Sequence, residues 1–478
     1  MEHSIPNGSQ YETRILPVDT TDLGQFKDPE TLEIWELRTD DSRLAPLHEA
    51  AKHLKISSIP VGFPTETVYG LGADATRSDA VKGIYKAKGR PSDNPLIIHV
   101  CDLTMLRSLL PPANGGADSI PEIYKPLIKR FWPGPLTILV PNPTPSKLAP
   151  EVTAGLSSFG ARMPETPLAL SLIHIAGVPL AAPSANASTK PSTTTAEHVL
   201  HDLNGRIEII LDGGPCQVGV ESTVVDGLCD PPVVLRPGGL SIDEIRECEG
   251  WSGVVRAYKD ASEIGQGAPR APGMKYKHYS PKAKVVLYEA SSKVRAGEAE
   301  KSAEDPSEVP IGIAVKDRIL EHIEFELSEN MPSIGIVSTK HWTDWAGLNQ
   351  AKMNTEDEVY TKILNTKPIQ SENSFAMKEG ELWEDTNPWA SITDSQDDTA
   401  VLSGGSSSVP VTERHMANVI EISLGKDIKS IAHGLFSALR ELDQRAVDVI
   451  YVEGIEDKGG IAAAVMNRLR KAATEIEK

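Results

Sequence analysis

The sequence predicts an α/β protein of two domains, and three observations carry that expectation. Short apolar runs alternate with helical runs over residues 45–249, the pattern of helices packed on a sheet. A second alternation starts at Val285. Between the two lies A-P-G-M-K-Y-K-H-Y-S-P at residues 271–281, without clear period and with proline at both ends.

In order, residues 1–40 are polar and read as a flexible leader. Residues 47–54 read as a helix, 58–64 as a short buried strand and 79–87 as a helix. Residues 95–100, P-L-I-I-H-V, read as a strand whose proline sits at the start, where a missing N–H does little harm. Residues 136–140 are a strand, 167–176 a helix, and 178–182, 207–212, 223–226 and 233–236 further strands. The first domain is thus expected over residues 41–250, a linker over 251–283 and a second domain over 284–478. In the second domain, strands are expected at 285–288, 311–315, 333–338, 419–423 and 447–452, with helices at 427–441 and 460–473. Residues 368–412 read as a disordered insertion, because 372–398 carries eight acids against the single base Lys378 and S-G-G-S-S-S follows. Residues 293–309 read as a smaller loop of the same kind.

The chain has 478 residues, 40% of them hydrophobic and 24% charged, an ordinary globular composition. Its formal net charge of −19 lacks the basic footprint of a nucleic-acid binder. Any nucleic-acid contact must therefore use a local basic cavity. Cys101, Cys216, Cys229 and Cys248 form no C-x-x-C pair, and their spacing does not suggest a zinc site. They read as free thiols in a reducing compartment. With no run of about 18 apolar residues and no signal core at the N-terminus, no membrane partner and a cytoplasmic location are expected.

Chemistry-bearing residues recur where strands end. Residues 63–72, F-P-T-E-T-V-Y-G-L-G, bring the hydroxyls of Thr65 and Thr67 after a strand, and glycines that admit a close backbone. Lys88 and Arg90 stand two apart before the turn R-P-S-D-N-P, the spacing that sends both to one side of an extended chain. Arg offers a planar fork and Lys a point charge to a phosphate. Arg162 follows a small-residue run and suits a carboxylate. An apolar strand runs into Ser184, Asn186 and Ser188, with Ser192 beyond, all groups that bond phosphate or ribose oxygens without adding charge. Arg236 closes a strand before Pro-Gly-Gly. Each block alone also fits a turn, a helix cap, helix C-terminal cations or a structural ion pair, and His99 in its apolar strand also fits a satisfied core histidine. No phosphate-loop or dinucleotide fingerprint is present, nor a nucleophile elbow or metalloprotease motif. Together the blocks suggest a cavity for an anionic, polar ligand.

Lys88-x-Arg90 with Ser184-x-Asn186 resembles the K-x-R…S-x-N signature of the YrdC-type threonylcarbamoyl-AMP synthases. The blocks F-P-T-E-T-V-Y-G-L-G, R-P-x-x-N-P-L, W-P-G-P-L-T, A-A-P-S-A-N and G-V-E-S-T-V agree. The linker and the second domain are similar to the long, two-domain form of that family. The resemblance implies a twisted open mixed sheet and a smaller Rossmann-like α/β domain. It also implies a reaction. L-threonine, bicarbonate and ATP, a substrate accompanied by Mg2+ on its triphosphate, give threonylcarbamoyl-AMP and pyrophosphate. A separate threonylcarbamoyl transferase complex then acts on tRNAs reading ANN codons. Members have been described as binding double-stranded RNA, and tRNA is a further expected partner; a mitochondrial pool is possible beside the cytoplasmic one.

By the same resemblance, ATP contacts fall on Lys88, Arg90, Asn94, Ser158, Ser184, Asn186, Ser192 and Arg236, with Pro272 and Tyr276 of the linker covering the nucleotide. Threonine contacts fall on Thr67, His99, Arg162 and, through its backbone, Ala182, with Thr65 a second choice. No metal-ligand cluster is expected.

Overall fold

The computed structural model describes residues 11–38, 42–112, 118–257, 278–290, 311–326, 331–349, 359–371, 375–386 and 413–477. Two compact units emerge. The first comprises Met1–Ser280, Leu435–Ser437 and Asp457–Ala472; the second comprises Pro281–Gly434, Ala438–Glu456 and Ala473–Lys478.

Among the described residues, the first unit carries an eleven-stranded mixed sheet. Its strands run in the order Arg14–Pro17, Ile209–Asp212, Val61–Phe63, Gly70–Asp74, Leu180–Ala181, Ile97–His99, Ser158–Arg162, Leu136–Pro141, Thr223–Asp226, Val233–Arg236 and Val255–Arg256. Central strands such as Ile97–His99 and Gly70–Asp74 are buried throughout. The first appears in the sequence within the apolar run P-L-I-I-H-V, without polar alternation, because both of its faces are covered. Helices Ala45–Ile56 and Pro167–Ala176 pack against one another and bury Leu47, Leu54, Leu168 and Leu172 in the main core. Helix Ser78–Lys88 ends on Gly89, which takes a left-handed φ of 62° and donates its N–H back to Lys86 O and Tyr85 O.

The second unit carries a seven-stranded sheet among the described residues. Lys284–Tyr288, Ser333–Ser338, Glu413–Ser423, Val449–Glu453 and Glu475–Glu477 pair in parallel; Val359–Pro368 and Ala376–Thr386 add an antiparallel margin. Ile319 and Ile323 of helix Ile311–Glu326 pack with Ile334, Ile336, Val449 and Tyr451 in one core.

Three expectations are corrected. Residues 14–37, read as leader, contain the strand Arg14–Pro17, paired in parallel with Ile209–Asp212, and the hairpin strands Gly24–Phe26 and Trp35–Leu37. Trp35 is buried, and its indole N–H reaches Ser171 Oγ at 3.1 Å, so distant residues supply the order that local polarity conceals. Residues 311–315, read as a strand, begin a sixteen-residue helix. The buried positions Val315, Ile319, Leu320 and Ile323 have helical spacing that a five-residue apolar window could not reveal. Within 368–412, Ala376–Thr386 is a strand held on both sides by neighbours, its Leu382 buried despite four nearby acids. Residues 387–412 of that segment and 293–309 lie outside the described residues. No described helix is long and apolar enough to cross a membrane.

Candidate functional site

Strands Ile97–His99 and Ser158–Arg162 are parallel, with His99 opposite Arg162, so both side chains leave the same end of the sheet. Arg162 is only 4% exposed. Its Nε donates to Gly134 O at 3.1 Å, one Nη to Thr67 Oγ1 at 2.9 Å, and the other to Glu66 Oε1. Three of the five N–H groups of a guanidinium are thereby used. Glu66 Oε2 also accepts the N–H of Glu165 at 3.1 Å. Thr65 Oγ1 and Thr67 Oγ1 lie 2.9 Å apart, and Thr65 donates to Val68 O at 2.7 Å, which fixes the turn after Val61–Phe63.

Lys88 is the last helical residue and Arg90 lies beyond the glycine cap, so the extended-chain geometry expected for K-x-R is not the one observed. Both nevertheless face one cavity. Lys88 Nζ donates to the carbonyls of Ser184 and Asn186, and Ser188 N–H donates to Lys88 O at 2.9 Å. The K-x-R and S-x-N blocks are therefore tied by direct bonds. Ser184 Oγ donates to Asn186 Oδ1 at 2.5 Å, while the Asn186 amide donates to Ala187 O and Lys190 O.

The cavity gathers Thr67, Lys88, Arg90, His99, Arg162, Ala182, Ser184, Asn186 and Arg236 from the expected set. Three expected residues are not among those lining it. Ser158 sits at the start of its strand, opposite Pro141. Asn94 is buried, its carbonyl taking the Tyr85 hydroxyl at 3.1 Å. Ser192 is fully buried behind the wall, donating to Glu221 Oε1 at 2.6 Å. Pro272 and Tyr276 lie outside the described residues. Thr65, Glu221, Ser222, His278 and Tyr279 line the cavity without having been singled out as principal site residues, and Glu66 stands behind Arg162. The blocks F-P-T-E-T, G-V-E-S-T and K-H-Y-S-P contained them. A lone glutamate or tyrosine in such a block has no spacing that marks it.

Tyr279 is 4% exposed and takes a φ of 66°. A left-handed tyrosine costs of order 1–3 kcal/mol and clusters at functional sites. The linker residue Ser280 donates its N–H to Thr189 O at 2.9 Å, anchoring this segment.

Burial pulls the Arg90 and Arg236 guanidinium groups down to about 10, and each is further opposed by a neighbouring arginine. Both remain cationic at neutral pH. Arg90 Nε is buried with no hydrogen-bond partner among the described residues. An anion in the cavity would relieve this shared desolvation. Arg236 is aimed by Ser222, whose carbonyl it reaches at 3.0 Å and whose hydroxyl at 3.1 Å. That contact needs Gly238, where an added Cβ would stand 2.2 Å from the backbone of Ser222 and Thr223. Gly238→Ala should lower stability by about 3 kcal/mol, an overpacking cost against atoms that cannot rotate away. A denaturant midpoint equal to wild type would contradict this close approach.

His99 is held neutral: burial, then the Arg162 charge, pushes it down to about 3. The unfolded chain takes up this proton near pH 6.5 and the folded one does not. The His99 contribution to stability is thus complete above pH 6.5 and lost as pH falls toward 3. In His99→Gln, the difference in melting temperature from wild type should drift in the variant's favour between those limits. A constant difference would mean that His99 does not titrate this way.

Among the described residues one group, Cys101, Asp102 and His174, places ligand atoms within 4.8 Å of one another. It lies away from the cavity lining. Its carboxylate is engaged locally: Asp102 Oδ1 caps Met105 N at 2.7 Å, and Cys101 Sγ donates to Oδ2 at 3.3 Å.

Two family models match the chain. The Sua5_yciO_yrdC family, described as "Telomere recombination", covers residues 58–238, and "Threonylcarbamoyl-AMP synthase, C-terminal domain" covers residues 240–474. A threonylcarbamoyl-AMP synthase of Schizosaccharomyces pombe is 40% identical over 97% of this chain and 98% of its own. The chain belongs to the threonylcarbamoyl-AMP synthase family, in its long two-domain form. The Bacillus subtilis member is 38% identical over 92% of this chain and 95% of its own. The crystal structure of the Pyrococcus abyssi member complexed with L-threonine superposes with a TM-score of 0.65 at 33% identity, covering 98% of this chain and 99% of that one. The cavity described above lies within the segment that the first model matches, apart from His278 and Tyr279.

Proposed function

We propose that this chain condenses L-threonine, bicarbonate and ATP into threonylcarbamoyl-AMP and pyrophosphate, as a nucleotidyltransferase. The product would serve a threonylcarbamoyl transferase complex that modifies tRNAs reading ANN codons. The observation that carries the reading is the meeting of Lys88, Arg90, Arg162 and Arg236 at one cavity also lined by uncharged hydroxyl and amide groups. Threonine's amine and bicarbonate form a carbamate with loss of water, and a carbamate oxygen must then reach the α-phosphorus as pyrophosphate departs. Two anions meet, so fixed cations must offset their repulsion. Lys88, Arg90 and Arg236 take the triphosphate, with Ser184 and Asn186 beside it. Arg162 takes the threonine carboxylate with its remaining N–H groups, and Thr67 and the backbone of Ala182 complete that end. Neutral His99 adds a polar edge without adding charge. Positioning supplies much of the rate, without a protein nucleophile.

The cavity suits a nucleotide that brings its own Mg2+. Glu221, the carboxylate among its lining residues, is already engaged by Ser192 and Arg468. Oxygens of the triphosphate are the ligands left for the ion. In this reading His278 and Tyr279, which line the cavity, help to cover the site and exclude water from a labile carbamate and adenylate. Pro272 and Tyr276 would extend that cover over the nucleotide. A cytoplasmic location, with a mitochondrial pool, fits the supply of a tRNA modification. Any contact with tRNA or double-stranded RNA would use the local basic cavity, since the chain as a whole is acidic.

The test is to incubate the full chain with threonine, labelled bicarbonate and ATP. Pyrophosphate and a labelled, threonine-dependent adenylate are expected; ATP consumption without label in an adenylate overturns the reading.

A further inference from the structure

Glu221 is an awkward neighbour for a triphosphate. It is 6% exposed and faces the cavity, where an unbalanced carboxylate would repel phosphate and compete for Arg236. Its surroundings within the first unit offset that charge from behind. Arg468, on the helix Ala462–Ala472, has a fully buried side chain. Its Nε donates to Glu221 Oε2 at 3.0 Å, and one Nη lies 3.0 Å from the same oxygen. The other Nη donates to the carbonyl of Pro237, the residue after Arg236. The guanidinium carbon stands 5.7 Å from the centre of the Tyr279 ring, within cation–π range. One arginine thus touches Glu221, the backbone beside Arg236 and the tyrosine of the linker. Burial by itself raises the Glu221 carboxyl, but Arg468, then Arg236 and the Ser192 hydroxyl, outweigh it and hold it at about 2. Glu221 is therefore ionised at every working pH, and its charge has to be balanced.

We infer that Arg468 is a positioning residue for the nucleotide, which neutralises Glu221 and thereby leaves Arg236 for the phosphates. This rests on the reading of the cavity as an ATP site. After Arg468, Arg236 is the cation that acts most strongly on the Glu221 carboxylate. Without Arg468, the carboxylate would draw Arg236 toward itself and present the phosphates with an added negative charge. Arg468 would touch no substrate; it acts through Glu221.

The experiment uses the full chain and titrates ATP with Mg2+ by calorimetry, alongside KM values for ATP and threonine. In Arg468→Met, the ATP dissociation constant should rise about tenfold or more, as when one partner of a buried charge pair is truncated. The threonine KM should stay within about twofold, since its contacts do not include Glu221. Adding Glu221→Gln to that variant should recover most of the lost ATP affinity, because the charge needing balance is gone. Unchanged ATP affinity in Arg468→Met, or no recovery in the double variant, overturns the proposal; a purely structural role predicts the second outcome. Should Arg468→Met fail to fold, Glu221→Gln alone decides: the proposal requires ATP binding as tight as wild type or tighter, and weaker binding sinks it. A wild-type chain that shows this ATP pattern but makes no labelled adenylate would remove the proposed reaction and leave this inference standing. A wild-type chain that does not bind ATP would remove both.

Discussion

Arg162→Ala should cost about 3–5 kcal/mol of stability, because it leaves the buried Glu66 charge without its cation, and should abolish threonine-dependent pyrophosphate release, because it removes the donors proposed for the threonine carboxylate. Both side chains are almost wholly shielded, at 5% and 4% exposure, so water cannot replace the lost partner. The effects on folding and on substrate separate in a second variant. Arg162→Ala with Glu66→Gln removes the stranded charge and should regain most of the melting temperature. It should not regain threonine use, because the donors for the substrate carboxylate are still missing. Recovery of normal threonine KM in that double variant would show that Arg162 serves only to hold Glu66, and the carboxylate assignment would fall.

Lys88→Met keeps the aliphatic stem and removes the ammonium. The carbonyls of Ser184 and Asn186 lose a donor that they share, a loss of about 1–3 kcal/mol for each group left without a replacement. The cavity loses a fixed cation as well. Loss of one preorganised electrostatic contact costs on the order of 10²–10³ in turnover. The kcat/KM for ATP should therefore drop at least that far, with a lower melting temperature. Lys88→Arg should restore the charge but not the compact fit between two carbonyls, and so should recover turnover only in part. Turnover of Lys88→Met within about twofold of wild type would mean that the ammonium is a structural strut outside the chemistry.

The K-x-R and S-x-N blocks were legible because cations and hydroxyls in small-residue surroundings are unusual in a core. The reason given for the first pair was not the one the fold uses. Gly89 ends the helix between Lys88 and Arg90, and the bend at that cap, rather than an extended strand, turns both toward the cavity. The strand Ala376–Thr386 was hidden by its acids. Its order comes from pairing with Val359–Pro368 and Glu413–Ser423, which local composition does not register. Asn94 and Ser158 carry suitable side chains beside the right motifs, yet neither is among the residues that line the cavity. Tyr279 has the opposite character: nothing in K-H-Y-S-P marks it above Tyr276, and its place at the cavity follows from a left-handed turn.

By itself, the sequence determined the alternation of strands and helices, the family, and the inventory of cations, hydroxyls and amides available to bind an anion. Periodicity and local residue type are properties of short segments, so they survive in one dimension. Only the tertiary structure decided which members of that inventory share a wall. Glu66 meets Arg162, Lys88 meets Ser184, and Ser192 and Arg468 meet on Glu221 because helices, loops and strand ends distant in the chain converge in the fold and because buried charges must find partners. No local pattern encodes those pairings.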